Sequence, residues 1–366
     1  VARYFASLGM SKESAAYNPS KDSKYNKGVG YDTYNYRLNL DIDLTKTTKV
    51  YIGTTGYMSV NTRPSMGEYS RGVSLTDWLW SSQAKTTPIS YPLRYSNGYY
   101  PAAGTKDEIS PYVLLNYTGN AREQNTRNLV TLGITQDLSM ITPGLSAQVR
   151  VTYDNSADIA DFRTKSYAYS IATPVRDGNI SDLSYSRYGN DTEMSFASGL
   201  QAQVMRTYIW GKVNYERDFG KHHLDVAGIY SQGRRKYLGA NGTNAFRDYM
   251  AHLSYNYDNR YFVEGSFRRD GSSRFHKDNR WGNFYSVGAS WNMKQEAFLQ
   301  DVDWVDALKL RASYGEVGNN MGVSLYGHMA LYTIDKNGGE AALVKQSLSA
   351  PDIKWETTQT VDVAVE

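Results

Sequence analysis

Strict two-residue alternation, held over long stretches and repeated from one end to the other, constrains this chain more than any other feature. In YNYRLNLDIDL, Tyr34, Tyr36, Leu38, Leu40, Ile42 and Leu44 fall on one side, and Asn35, Arg37, Asn39, Asp41 and Asp43 on the other. Leu145, Ala147, Val149, Val151 and Tyr153 repeat the beat, as do Tyr249, Ala251, Leu253, Tyr255 and Tyr257. Tyr261, Val263, Gly265 and Phe267 follow, then Tyr285, Val287, Ala289, Trp291 and Met293. A period of two places each set on one face of a β-strand. Alternation alone does not name the solvent, because a soluble sheet also has an oily face.

Length and connection pattern narrow the choice. Eleven residues at ~3.3 Å each reach roughly 36 Å, and a tilt of ~45° reduces this to roughly 25 Å, the height of the apolar band on an outer-membrane barrel. Strands of globular proteins run nearer ~5–6 residues. Short turns follow every second strand at 44–49, 139–144, 218–223 and 257–261. Longer polar connections at 11–33, 61–124, 170–200, 233–247, 271–283 and 317–356 lie between them. Sorting of loop length by end is the signature of a membrane barrel, short turns on the periplasmic side and long loops outside. The expected fold is all-β: a transmembrane antiparallel β-barrel contributing about twelve strands of a presumed 22-stranded plugged barrel. Strand pattern reaches both termini, so residues 1–366 are expected to be a barrel segment, with plug and closing strands outside it.

Composition agrees. The 32 Tyr, against 10 Phe and 7 Trp, suit strands at a wet–dry boundary. Mean hydropathy is −0.58 and no run of apolar residues is long enough for a membrane helix, a test to which barrels are blind. A formal charge of +3 gives no reason to expect a nucleic-acid partner. Without cysteine there is no disulfide framework, thiol nucleophile or Cys-based zinc site.

Candidate sites are few. Trp78, Trp80, Tyr91, Tyr95, Tyr99 and Tyr100 crowd the loop Ser74–Ala103, where they either stack on a ligand or pack the loop and contact a lid protein. Arg37, Asp41, Asp43, Arg150, Asp154, Glu264 and Arg268 are expected to face the lumen, and Tyr34 to Leu44 on the apolar beat to face lipid. Asp41 and Asp43 sit at a separation glycosidases use, yet lumen positions account for them, and no catalytic residue is assigned. Adjacent His222 and His223 point to opposite faces, so no metal site or cofactor is expected. Phe298, Leu299, Val302, Val305 and Leu308 have helical spacing and predict one or two short helical turns under the rim. The charged stretch Arg268–Gly282 is expected to fix loops above the rim.

Several stretches go beyond pattern. RRDGSSRF (268–275), NRWG (279–282), LKLRASYG (308–315), NLDIDLTKTTKV (39–50), Ser110–Asn120 and PDIKWETTQTVDV (351–363) resemble, in order, the barrel of SusC/RagA-type TonB-dependent outer-membrane transporters. The resemblance implies a plugged barrel energised through TonB–ExbB–ExbD, a SusD-like surface lipoprotein as lid, outer-membrane lipid around it, and oligosaccharide or peptide as cargo. It implies transport without covalent chemistry. A lidless siderophore or cobalamin receptor of the same broad fold is one alternative, and a secreted carbohydrate-binding β-protein another.

Overall fold

In the computed structural model, residues 1–366 are described except 18, 22, 24, 26–28, 66–79, 82–83, 85–86, 88, 103–108, 176–182, 240–242 and 336–341. The strands in chain order are β1 (Ala2–Ser14), β2 (Gly30–Asp43), β3 (Thr48–Pro64), β4 (Tyr100–Pro101), β5 (Gly119–Asp137), β6 (Leu145–Thr164), β7 (Tyr169–Pro174), β8 (Leu183–Tyr188), β9 (Ser195–Phe219), β10 (His222–Tyr237), β11 (Thr243–Tyr257), β12 (Tyr261–Ser272), β13 (Trp281–Asn292), β14 (Lys309–Asn319), β15 (Leu331–Asp335), β16 (Ala342–Ser347) and β17 (Glu356–Val365). Helices α1 (Pro111–Asn116) and α2 (Ala297–Gln300) are short.

Twelve strands form one antiparallel sheet in the order β1-β2-β3-β5-β6-β9-β10-β11-β12-β13-β14-β17. Register explains why a single sequence beat works across the whole sheet. Tyr4, Leu40, Ile52, Leu132, Val151 and Ile209 stand opposite one another on successive strands. Val226, Leu253, Gly265, Val287, Tyr314 and Val361 form a matching row farther on. The opposite face carries Arg3, Asp41, Tyr51, Gly133, Arg150 and Trp210, then Ser231, Asp248 and Asp270. A slip of one residue anywhere would exchange the two sets, so the pattern pins the register. Among the described residues no protein layer covers the apolar face; Leu38, Leu132, Val149, Val263 and Val287 are all exposed.

Tight turns close one end. Asp258 and Asn259 both adopt left-handed backbone (φ 52° and 53°), a conformation these residue types tolerate, and Asn256 Oδ1 accepts from the Asn259 amide at 2.9 Å. Between β13 and β14 lie a 3₁₀ turn, Met293–Gln295, and α2; of the residues with helical spacing only Phe298 and Leu299 are helical, while Val302, Val305 and Leu308 follow in turns and extended chain. Glu296 fixes this connection: it accepts hydrogen bonds from Tyr261 Oη at 2.6 Å and Trp291 Nε1 at 3.0 Å. Lys294 Nζ donates to the Val302 carbonyl at 2.8 Å.

At the other end the strands run farther than the alternation suggests. β10 continues to Tyr237 and β11 begins at Thr243, so most of 233–247 is ladder; β12 and β13 likewise take the ends of 271–283. The stretches 61–124 and 170–200 also lose residues at both ends, to β3, β5, β7, β8 and β9. β9 reaches 25 residues. Above an apolar band both faces can be polar, which erases the two-beat while the backbone ladder continues.

Candidate functional site

The long-loop end carries the largest buried cluster among the described residues, and it starts from a helix that 61–124 hides. Ser110 caps α1, its hydroxyl accepting from the Tyr112 amide at 3.3 Å, and Pro111 supplies a helical φ at the first position. One turn then aims Val113 and Leu114 inward, both fully buried beside Ile109, Ala102 and Tyr169. Burying each branched side chain contributes roughly 1.5–3 kcal/mol, which helps to order a connection that stands outside the main sheet. Asn116, also buried, accepts from the Ser20 amide at 2.7 Å and ties the β1–β2 connection to this core.

Tyrosines wrap the cluster. β4, β7 and β8 form a small sheet against it. Tyr95 and Tyr99 meet Tyr185 edge-on, with ring centres 5.2 and 6.1 Å apart. Tyr100 lies 5.8 Å from Tyr117 and 5.5 Å from Tyr167. Guanidiniums cover further faces, Arg94 over Tyr100 at 5.2 Å and Arg187 over Tyr99 at 5.8 Å. Burial pushes the hydroxyls of Tyr95, Tyr100 and Tyr167 above the ordinary phenol range, so they remain neutral donors. Of the six aromatics singled out in the sequence, Tyr95, Tyr99 and Tyr100 therefore join one packed cap. Tyr91 is half-buried, Trp80 is exposed, and Trp78 lies outside the described residues.

The polar face of the sheet forms a charged wall. Asp154 is its tightest point: its carboxylate accepts from Arg127 Nε and Nη2 at 3.1 and 2.9 Å and from Arg206 Nη1 at 2.9 Å. Arg150 lies between the rings of Tyr51 and Trp210, at 5.3 and 5.7 Å. Arg268 pairs with Asp270 at 3.0 Å, and Glu264 approaches His252 at 3.7 Å. Arg37 lies 5.9 Å from the Phe5 ring, and Asp41 stands opposite Arg3 in the register. Asp43 stands opposite Lys49. All seven charged residues predicted to share a face do share it, and Tyr34, Tyr36, Leu38, Leu40 and Ile42 share the other. Leu44 lies just past β2, in the turn. Sequence reasoning missed Arg127, Arg206, Tyr51 and Trp210, because only strand register reveals which distant positions meet.

An antiparallel sheet of long two-faced strands, with short turns at one end and an ordered cap at the other, defines an outer-membrane β-barrel protein. The sequence model of the family described as "TonB dependent receptor-like, beta-barrel" matches residues 68–366, and the chain belongs to that family. Such barrels reside in the bacterial outer membrane. TonB-dependent receptor SusC of Bacteroides thetaiotaomicron is 35% identical over 130 residues, 34% of this chain and 13% of that protein. TonB-dependent receptor P3 of Formosa agariphila is 24% identical over 362 residues, 90% of this chain and 34% of that protein. The RagAB peptide importer in its "closed-closed" state superposes with a TM-score of 0.69 at 19% identity, over 100% of this chain and 40% of that one, and establishes the fold. The chain thus spans about a third or less of the curated relatives it matches.

Proposed function

We propose that the chain is the barrel segment of an outer-membrane importer that takes up oligosaccharide or peptide together with a SusD-like surface lipoprotein. In this reading the Tyr34–Leu44 face meets lipid, and the Arg37, Asp41, Asp43, Arg150, Asp154, Glu264 and Arg268 face meets a watery lumen filled by a plug. Cargo is captured under the lid. Energy from TonB–ExbB–ExbD then displaces the plug, and no covalent bond is made or broken.

The observation that carries the lid is apolar exposure in the long connections, outside the twelve-stranded sheet. Ile89 is 93% exposed, Leu348 76%, Leu343 70% and Ile334 63%. Apolar side chains left exposed where water would otherwise meet them are marks of an interaction surface. The tyrosine cap supports the same reading, since its ring faces are largely occupied by one another and by arginines. In the test, the protein is extracted from outer membranes in detergent and weighed by native mass spectrometry. A complex with one lipoprotein supports the lidded importer. A species that never carries one, at any detergent concentration, refutes it and favours a lidless receptor of the same fold.

A further inference from the structure

On the apolar face, at its long-loop edge, three adjacent strands carry cations without anions. Arg234 and Lys236 on β10, Arg247 on β11 and Arg269 on β12 all project from this face and are exposed. The register sets them on a diagonal: Arg234 is opposite Ala245, two residues from Arg247, and Arg247 is two residues from Tyr249, the partner of Arg269. Diagonal neighbours of this kind stand about 7–8 Å apart. No carboxylate shares this face on β10, β11 or β12 beyond Tyr249; Asp248 and Asp270 point the other way, with Ser231 and Arg268. The same face of β1 and β2 is built differently, with Lys12 opposite Asp32.

Height sharpens the question. Counting from His222, Tyr257 and Tyr261 at the tight-turn end, Arg269, Arg247 and Arg234 rise roughly 19, 23 and 28 Å at ~3.3 Å per residue and ~45° tilt. That is the upper margin of an apolar band ~25 Å tall, where a cation costs only ~0–1 kcal/mol. Level with them in the register lies an aromatic row, Tyr230 to Tyr249 at 5.3 Å and Tyr249 to Trp281 at 6.0 Å, with Arg269 over Trp281 at 5.3 Å. Beside it a groove of about 580 Å³ has Val151, Ile209 and Trp281 along its apolar side and Gln232, Arg234 and Arg247 along its polar side. Like charges set diagonally on one face repel, and a shared anion between the guanidinium forks converts that repulsion into paired, charge-assisted bonds.

We infer that this groove is a binding site for a phosphorylated lipid of the outer leaflet, its phosphate held by Arg234 and Arg247, which line it, and by Arg269 at its edge over Trp281, with an acyl chain laid over Val151 and Ile209. The inference rests on the lipid-facing assignment of the apolar face. The guanidinium fork suits phosphate, and the lysine adds a point charge beside it.

The test is native mass spectrometry of the detergent-extracted protein offered equal amounts of monophosphoryl lipid A, phosphatidylglycerol, phosphatidylcholine and inorganic pyrophosphate. We expect at least a tenfold preference for the phosphorylated glycolipid or phosphatidylglycerol, falling to parity in the triple variant R234Q/R247Q/R269Q. Should the glutamine variant not fold, the single variant R247Q and the triple lysine replacement give the same reading, a partial loss of preference in each, since lysine keeps the charge but loses the fork. Identical lipid profiles for wild type and variants overturn the site and leave the lipid-facing assignment standing. No lipid of any class on any form overturns that assignment and the site together. Retention of pyrophosphate in place of every lipid overturns the lipid and leaves an anion site only.

Discussion

Arginine introduced at Leu38 tests the two-faced wall directly. Leu38 lies six residues along β2 from Leu44, so it stands roughly 14 Å above the tight-turn rim, near the middle of a ~25 Å band. Its cross-strand partners are Ala6 and Thr54, and neither offers a guanidinium a counter-charge. At that depth an outward arginine costs about 2–4 kcal/mol, and ~3 kcal/mol is more than a hundredfold in the folding equilibrium. Asn39→Arg is the matched control. It sits one residue away on the opposite face, near the Tyr51 hydroxyl at 3.5 Å, and is expected to cost less than about 1 kcal/mol. Tyr34→Arg completes a depth series: four residues higher on the lipid side, at the far margin, its cost is expected to fall to ~0–1 kcal/mol. Urea unfolding in phospholipid vesicles, followed by tryptophan fluorescence, gives all three values. Equal costs at 38 and 39, or no fall from 38 to 34, would refute the reasoning.

Two further outcomes are expected. Asp154→Asn removes the anion that two arginines share; Arg127 is more than half exposed, so water recovers part of the loss, and we expect destabilisation of about 2 kcal/mol in the same unfolding assay. A change inside ~0.5 kcal/mol would show the trio to be ornamental. Glu296 is held below the ordinary carboxylate range, first by the Tyr261 hydroxyl and then by the Trp291 indole. A depressed folded value means that the stabilisation is present above the unfolded pKa and lost as pH falls through the folded one. Hydrogen exchange of residues 293–308 is therefore expected to quicken, beyond intrinsic chemistry, as pH drops from about 6 to about 3, and Glu296→Gln should remove that dependence.

What could be read in advance followed from local repetition. Tyr34 to Leu44 determine a strand, its two faces and, through its length, a bilayer-sized apolar band, because a period of two is a property of the backbone and needs no partner. The turns at 258–260 and 293–308 were legible for a similar reason: their residues act within a few positions of themselves. Membership of the TonB-dependent receptor barrels was legible in motifs such as RRDGSSRF, through their resemblance to SusC/RagA-type transporters.

Long-range pairing decided the rest. Arg127, Asp154 and Arg206 come from three strands and meet only because the register of β5, β6 and β9 aligns them. The α1 core needs Ile109, Tyr169 and Tyr188, residues too far apart for any periodicity to connect. Arg234 and Arg247 fall in 233–247, which alternation leaves as a polar connection, and Arg269 in the charged stretch 268–282; extended strands place all three on the apolar face. Alternation specifies which way a side chain points, but hydrogen-bonded register specifies what it points beside, and chemistry at a wall or a groove depends on the second.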